Sequence, residues 1–168
     1  MIAVKTLIQK EIISIFIIWL FTLSAMIGMS IGYYDWFIVK TPLNLLILFT
    51  LLVINFPINS FQKVGVSSLF FIVGFAVEWV GVHYGFLFGS YYYGDNLGLK
   101  LDGIPPLIGI NWALLTLSSA AIARHYAKNK WLRAALGAAL MVILDFFIEP
   151  AAPLFDFWHW EIGQKSNS

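Results

Sequence analysis

The stretch WLRAALGAALMVILDFFIEP, residues 131–150, decides the fold. From Trp131 to Ile148 it is apolar apart from Arg133 and Asp145, close to the ~20 residues that cross a hydrocarbon core. Backbone polar groups cannot go unpaired in lipid, so a helix is expected. On that helix Ala134, Ala138, Val142, Asp145 and Glu149 share a face, small residues leading into two acids four apart. An ionisable group inside a span costs roughly 3 kcal/mol on insertion scales and marks a functional position by default.

Working outward, four more apolar stretches appear. They are Ile12 to about Tyr33, Leu43 to Phe56, Val64 to Phe88, and Pro106 to about Tyr126. Leu43–Phe56 is short, opened by Thr41-Pro42 and closed by Pro57; Pro105-Pro106 likewise suits a helix start. The expected fold is all-α: one integral-membrane domain over residues 1–168, a polytopic transmembrane helical bundle of about five spans. The tail from Gln164 to Ser168 reads as frayed, and the first span as a retained anchor, since no small-residue cleavage site follows it.

Composition agrees. Of 168 residues 60% are hydrophobic and 11% charged, against roughly 25% charged in soluble domains. Net charge is +1, which offers no case for nucleic acid. Cysteine is absent, which excludes disulfides and thiolate metal sites and leaves the redox compartment unread. Five spans with a cytoplasmic N-terminus put Lys5, Lys10, Lys63, Arg124, Lys128, Lys130 and Arg133 inside, and only Lys40, Lys100 and Lys165 outside. That positive-inside bias sets the expected orientation, N-in and C-out; loss of the second span inverts everything after it. Glu78, Asn111, Trp112, Asp145 and Glu149 are then expected at one depth, near the outer interface.

In the run from Glu78 to Gly89, the residues Glu78, Gly81, Gly85 and Gly89 fall on one face at helical spacing. One reading is a tight helix contact, because small residues let membrane helices approach closely, with Glu78 satisfied by a neighbouring donor. The other is that the glycine face opens room for a substrate beside the acid. Asp145 and Glu149 raise each other's proton affinity in a low-dielectric site, and such a pair divides acid and base roles. The alternative is a salt bridge, for which Lys100 is the only nearby cation. The loop from Ser90 to Pro106 is dense in tyrosine and glycine, and Trp158-His159-Trp160 follows near the C-terminus. Both suit an interfacial aromatic belt, or ring faces that stabilise a cation. His83, His125 and His159 assemble no metal site: one lies opposite Glu78, one in a basic loop and one in the tail. A carboxylate-only Mg²⁺ site bound to a diphosphate substrate stays open, although the paired aspartate-rich motifs of membrane prenyltransferases are missing. No metal and no cofactor is expected.

The ordered set Glu78-x2-Gly81-x3-Gly85-x3-Gly89-x-Tyr91-x-Tyr93, Leu97-Gly98-x2-Leu101-x-Gly103-Ile104-Pro105, Ile108, Trp112, Asp145-x3-Glu149-Pro150-Ala151 and Trp158-His159-Trp160 resembles a carotenoid-biosynthesis membrane family. That family includes the CruF-type ψ-end-group hydratases and the bisanhydrobacterioruberin hydratases; the resemblance covers residues 74–160. Two departures stand out: the chain is shorter than those hydratases, and Glu149-Pro150 stands where an Asp-Pro is expected. The resemblance implies acid-catalysed addition of water to the terminal C=C of an acyclic carotenoid (lycopene, γ-carotene or a C50 relative), giving a tertiary alcohol. It implies Glu78, Asp145 and Glu149 as catalytic residues, with Gly81, Tyr84, Gly85, Tyr91, Tyr93, Asn111 and Trp112 around the substrate. The setting expected is the inner membrane of a prokaryote, in association with other carotenoid enzymes. The rival readings are a membrane lycopene-type cyclase and a non-enzymatic transporter or carotenoid-binding protein.

Overall fold

A computed structural model describes residues 2–56, 61–85 and 88–161. Four of its helices are long and apolar enough to cross a membrane: Gln9–Ser30 within α1 (Ile2–Ser30), α4 (Phe61–Tyr84), α5 (Pro106–Tyr126) and α6 (Lys130–Ile148). The protein is therefore a polytopic helical membrane protein. Between α1 and α4 lie α2 (Tyr34–Ile38) and α3 (Thr41–Asn55). The second expected span is this α3, with Pro42 in its first turn as anticipated. At 15 residues it extends about 22 Å, short of a ~30 Å hydrocarbon core. The expected stop at Pro57 and the tail from Gln164 lie outside the described residues.

The chain divides into two compact units, Met1–Val64 and Gly65–Ser168. In the first, α1 and α3 are joined by a polar clamp. Asn55 Nδ2 donates to Ser14 Oγ at 2.7 Å and to the Leu51 carbonyl at 2.8 Å, while Ser14 Oγ donates back to the Lys10 carbonyl at 2.9 Å. Such bonds hold membrane helices together where lipid offers no hydrophobic drive.

In the second unit α5 and α6 form an antiparallel pair. Asn129 caps α6, its side-chain oxygen accepting from the Trp131 and Leu132 amides at 2.8 and 3.3 Å. Arg133 Nε donates to the Ala127 carbonyl at 2.8 Å and pins the turn between the helices. Gly137, buried, lets α6 lie against the backbone of Ser119 on α5.

α4 ends at Tyr84, not at Phe88. Gly85 takes a positive φ of 59° and its amide still reaches the Gly81 carbonyl at 2.9 Å, the left-handed stop that glycine adopts without strain. After a turn at Phe88 and a positive φ of 86° at Gly89 the chain enters β1 (Tyr91–Tyr93), which pairs antiparallel with β2 (Trp158–Trp160), Tyr92 opposite His159. Trp158, His159 and Trp160, for which the sequence leaves a belt and a cation-stabilising reading open, form a strand. Farther on, Leu101 and Ile104 bridge across Asp102-Gly103, both with positive φ, as a two-residue Asp-Gly hairpin requires. The β1–β2 ribbon ties the segment after α6 to the segment after α4, so the C-terminal ends of those helices lie on one side. Burial concentrates here: Ile104 and Ala152 are fully enclosed, and Tyr91, Tyr93 and Leu97 are buried.

Candidate functional site: three carboxylates at one end of the second unit

Side chains alternate across a strand, so Tyr91 and Tyr93 face one way and Tyr92 the other. Tyr91 and Tyr93 are buried, whereas Tyr92 is exposed and stacks on His159 at 5.2 Å. Both buried phenols donate to Glu78 Oε2, at 2.6 and 2.7 Å. From α5, Trp112 Nε1 donates to Glu78 Oε1 at 2.9 Å. Three donors from two elements thus converge on one carboxylate of α4.

Two glycines make this approach possible. A Cβ on Gly81 would lie 2.6 Å from the Tyr91 hydroxyl, and one on Gly74 would collide with the Cβ and ring of Trp112. The expected four-residue stripe is therefore corrected. Gly85 and Gly89 lie beyond the helix, with Gly85 serving as its stop, and the glycines that admit neighbours to α4 are Gly74 and Gly81. The neighbours admitted are side chains of β1 and α5.

Burial, then the charge of Glu78, pushes the Tyr91 and Tyr93 phenols well above the ordinary tyrosine range. They remain hydrogen-bond donors at any physiological pH. Trp160 packs on the Tyr91 ring at 5.4 Å, so β2 closes this corner from behind.

Asp145 and Glu149 stand differently. Both are exposed, on the same open face of α6 as Ala134, Ala138 and Val142, while Gly137 on another face meets α5. Asp145 lies within electrostatic reach of Glu149 and of Glu78. Neither carboxyl has a hydrogen-bond or ion-pair partner among the described residues. The salt-bridge alternative does not hold for Lys100, whose Nζ instead binds Asp95 Oδ1 and the Tyr93 carbonyl, each at 2.8 Å. Counting along the helices, Glu78 and Trp112 are each about 9 Å from the adjacent helix end and Asp145 about 4.5 Å, at 1.5 Å per residue. Trp112 meets Glu78 directly, and Asp145 lies within electrostatic reach of it.

The remaining expected residues are more peripheral. Tyr84 is exposed and meets the edge of Trp79 at 5.9 Å. Asn111 is half-buried beside Trp112 in sequence, without a side-chain partner among the described residues. No group of three or more metal-ligating side chains occurs among the described residues.

A second cluster escaped the sequence reading. Asp102, at the hairpin tip, accepts from Trp79 Nε1 at 2.7 Å and lies 3.4 Å from His83 Nε2, docking the hairpin onto the end of α4. Its signal was the Asp102-Gly103 pair itself, a strong two-residue turn motif. On the opposite side, His159 Nε2 meets Asp156 Oδ1 at 2.7 Å, and Asp156 Oδ2 accepts from the Asp95 amide at 2.8 Å. These bonds hold the Asp156 carboxyl below the usual aspartate range, the His159 contact contributing most.

A family model described as carotenoid biosynthesis protein matches residues 41–165. No curated protein and no solved structure matches the chain.

Proposed function

Since the chain belongs to the carotenoid biosynthesis protein family, we propose that it hydrates the terminal C=C of an acyclic carotenoid end group, giving a tertiary alcohol. The observation that carries the proposal is the opposite treatment of these carboxylates. Glu78 is held by three donors, while Asp145, within its electrostatic reach, and Glu149, beside Asp145, have no side-chain partner among the described residues. Hydration of a trisubstituted alkene needs an acid that gives up a proton and a separate group that receives one. A carboxyl without partners suits the first role, and a fixed carboxylate suits the second.

In this reading the Asp145–Glu149 pair delivers a proton to the less substituted alkene carbon. A tertiary carbocation forms, water adds to it, and the excess proton leaves toward Glu78. Aromatic faces in a desolvated site stabilise such a cation by about 2 kcal/mol or more. A rod-shaped polyene lying across the bilayer brings its end group to the interfacial level, where water is available. The substrate proposed is lycopene, γ-carotene or a C50 relative, met in the inner membrane of a prokaryote alongside other carotenoid enzymes.

The test is expression in a bacterium that accumulates lycopene or γ-carotene, with chromatography and mass spectrometry of the pigments. A more polar product heavier by one water supports the proposal. An isomer of unchanged mass would point to cyclisation, and unaltered pigment with the protein in the membrane would refute hydration of these substrates. Orientation is proposed as N-in, with α3 crossing. Because the chain has no cysteine, Lys100→Cys and Lys128→Cys report it directly through a membrane-impermeant thiol reagent. Labelling of Lys100→Cys from the outside and of Lys128→Cys only after permeabilisation is expected; the reverse overturns this topology.

A further inference from the structure

We propose that Glu78 is the water-placing residue of this site and that Tyr91, Tyr93 and Trp112 are positioning residues for it, not substrate contacts. The inference rests on the hydration reading above and states how the cation is captured. The end of an acyclic carotenoid is hydrocarbon and offers no partner to a phenol or an indole N–H. Here all three polar atoms turn to Glu78, at 2.6, 2.7 and 2.9 Å. Their elements differ: β1 supplies the two phenols and α5 the indole, so the carboxylate of α4 is fixed from two directions. A carboxylate oxygen accepts about two hydrogen bonds. Oε2 accepts two, from Tyr91 and Tyr93, and Oε1 accepts one, from Trp112. The remaining capacity lies on Oε1, so a water donating there takes a direction set by the other three bonds.

The step balances. Proton transfer from the Asp145–Glu149 pair to the alkene gives the cation. A lone pair of the water bound at Oε1 forms the C–O bond, and the proton released from the oxonium passes to Glu78. Return of that proton through solvent to the α6 pair restores both groups, and one water is consumed.

A cation that is not captured loses a proton from a neighbouring carbon and returns to an alkene. In D2O that alkene carries solvent deuterium. Misplacing the water therefore changes the partition between exchange and hydration, a readout that simple loss of folded protein does not move. The experiment supplies membranes in D2O with a carotenoid that the wild type hydrates, and measures alcohol formed and deuterium in recovered substrate. For the double variant Tyr91→Phe/Tyr93→Phe, and independently for Trp112→Phe, we expect hydration to fall while exchange persists. The exchange-to-hydration ratio should rise about tenfold or more, given that a positioned base contributes ~10²–10⁴-fold. Tyr92→Phe, on the opposite face of the same strand, should leave the ratio at the wild-type value.

Parallel loss of exchange and hydration in the donor variants, or an unchanged ratio, overturns this assignment while leaving hydration itself standing. A wild type that forms no heavier product overturns the hydration reading and this assignment with it.

Discussion

Around Glu78 the chain is closed. Tyr91 and Tyr93 are 5% and 4% exposed, Ile104 and Ala152 are sealed, and three donors meet one carboxylate. Along the acid face of α6 it is open: Val142 is 67% exposed, Asp145 and Glu149 are exposed, and neither carboxyl has a partner among the described residues. Both regions belong to the second unit, with Asp145 within electrostatic reach of Glu78. The difference separates two requirements of acid-catalysed hydration. A carboxylate that must aim a water is oriented before substrate arrives, by bonds each worth about 1.5–3 kcal/mol to a charged acceptor. A carboxyl that must give away a proton is better left without bonds that tie it to one state. The closed corner is made by the ribbon together with Trp112 of α5, so a short strand outside the helices supplies two of the three bonds that fix Glu78.

The largest expected effect comes from abolishing the difference. Asp145→Asn, Glu149→Gln and Glu78→Gln should each reduce hydration by about 10²-fold or more, with the protein still inserted in the membrane. Pigment analysis of the three variants checks this; near-normal turnover in any of them removes that residue from the chemistry. The next effect comes from filling the glycine gaps. Gly74→Ala drives a methyl group into the Cβ and ring stem of Trp112, which cannot move without shifting α5. Overpacking of this kind costs about 1–3 kcal/mol, so the melting temperature in detergent should drop by several degrees. Gly81→Ala meets the Tyr91 hydroxyl at 2.6 Å and ring atoms of Tyr91 and Phe88 at 3.2 Å, all side-chain atoms with some freedom to shift, and should cost less stability while still lowering hydration. Equal thermal shifts in the two variants would mean that Trp112 does not pack as described.

A smaller effect is set by pH. Tyr91 and Tyr93 are raised by burial first and by Glu78 second, so the folded chain keeps protons that the unfolded chain releases near pH 10. Their contribution to stability is complete below about pH 10 and declines as the pH rises above it. In an ultraviolet titration, two of the seven tyrosines should resist ionisation until the protein unfolds. Titration of all seven near pH 10 with native structure intact would contradict the burial of these phenols. Smallest is the Asp156–His159 contact, where Asp156 is lowered, so its contribution is present above about pH 4 and lost as the pH falls below the ordinary aspartate range. The groups are partly exposed, and Asp156→Asn should therefore shift the melting temperature only slightly.

The spans were legible because length and hydropathy decide them: Pro106 and Thr41-Pro42 open α5 and α3 as expected, and α6 begins one residue before Trp131. The three carboxylates were legible as ionisable groups in apolar runs. The partners of Glu78 were not. Reading Gly81, Gly85 and Gly89 at helical period carried α4 too far, since Gly85 is also the residue best able to stop a helix. The composition of Tyr91-Tyr92-Tyr93 and Trp158-His159-Trp160 suits an interfacial belt and cation-stabilising rings equally and does not reveal that they pair. Two aromatic triplets far apart in the chain, of which only Tyr91–Tyr93 alternates in burial, pair through long-range contacts that local pattern does not encode.

The most direct test of the whole account is pigment analysis in a lycopene- or γ-carotene-accumulating bacterium grown in ¹⁸O-labelled water, with wild type beside Asp145→Asn and Glu78→Gln. The account predicts that the wild type converts the pigment to an alcohol carrying one labelled oxygen, and that both variants, present in the membrane, form little or none. Unlabelled product, an isomer of unchanged mass, or full activity in either variant would contradict it.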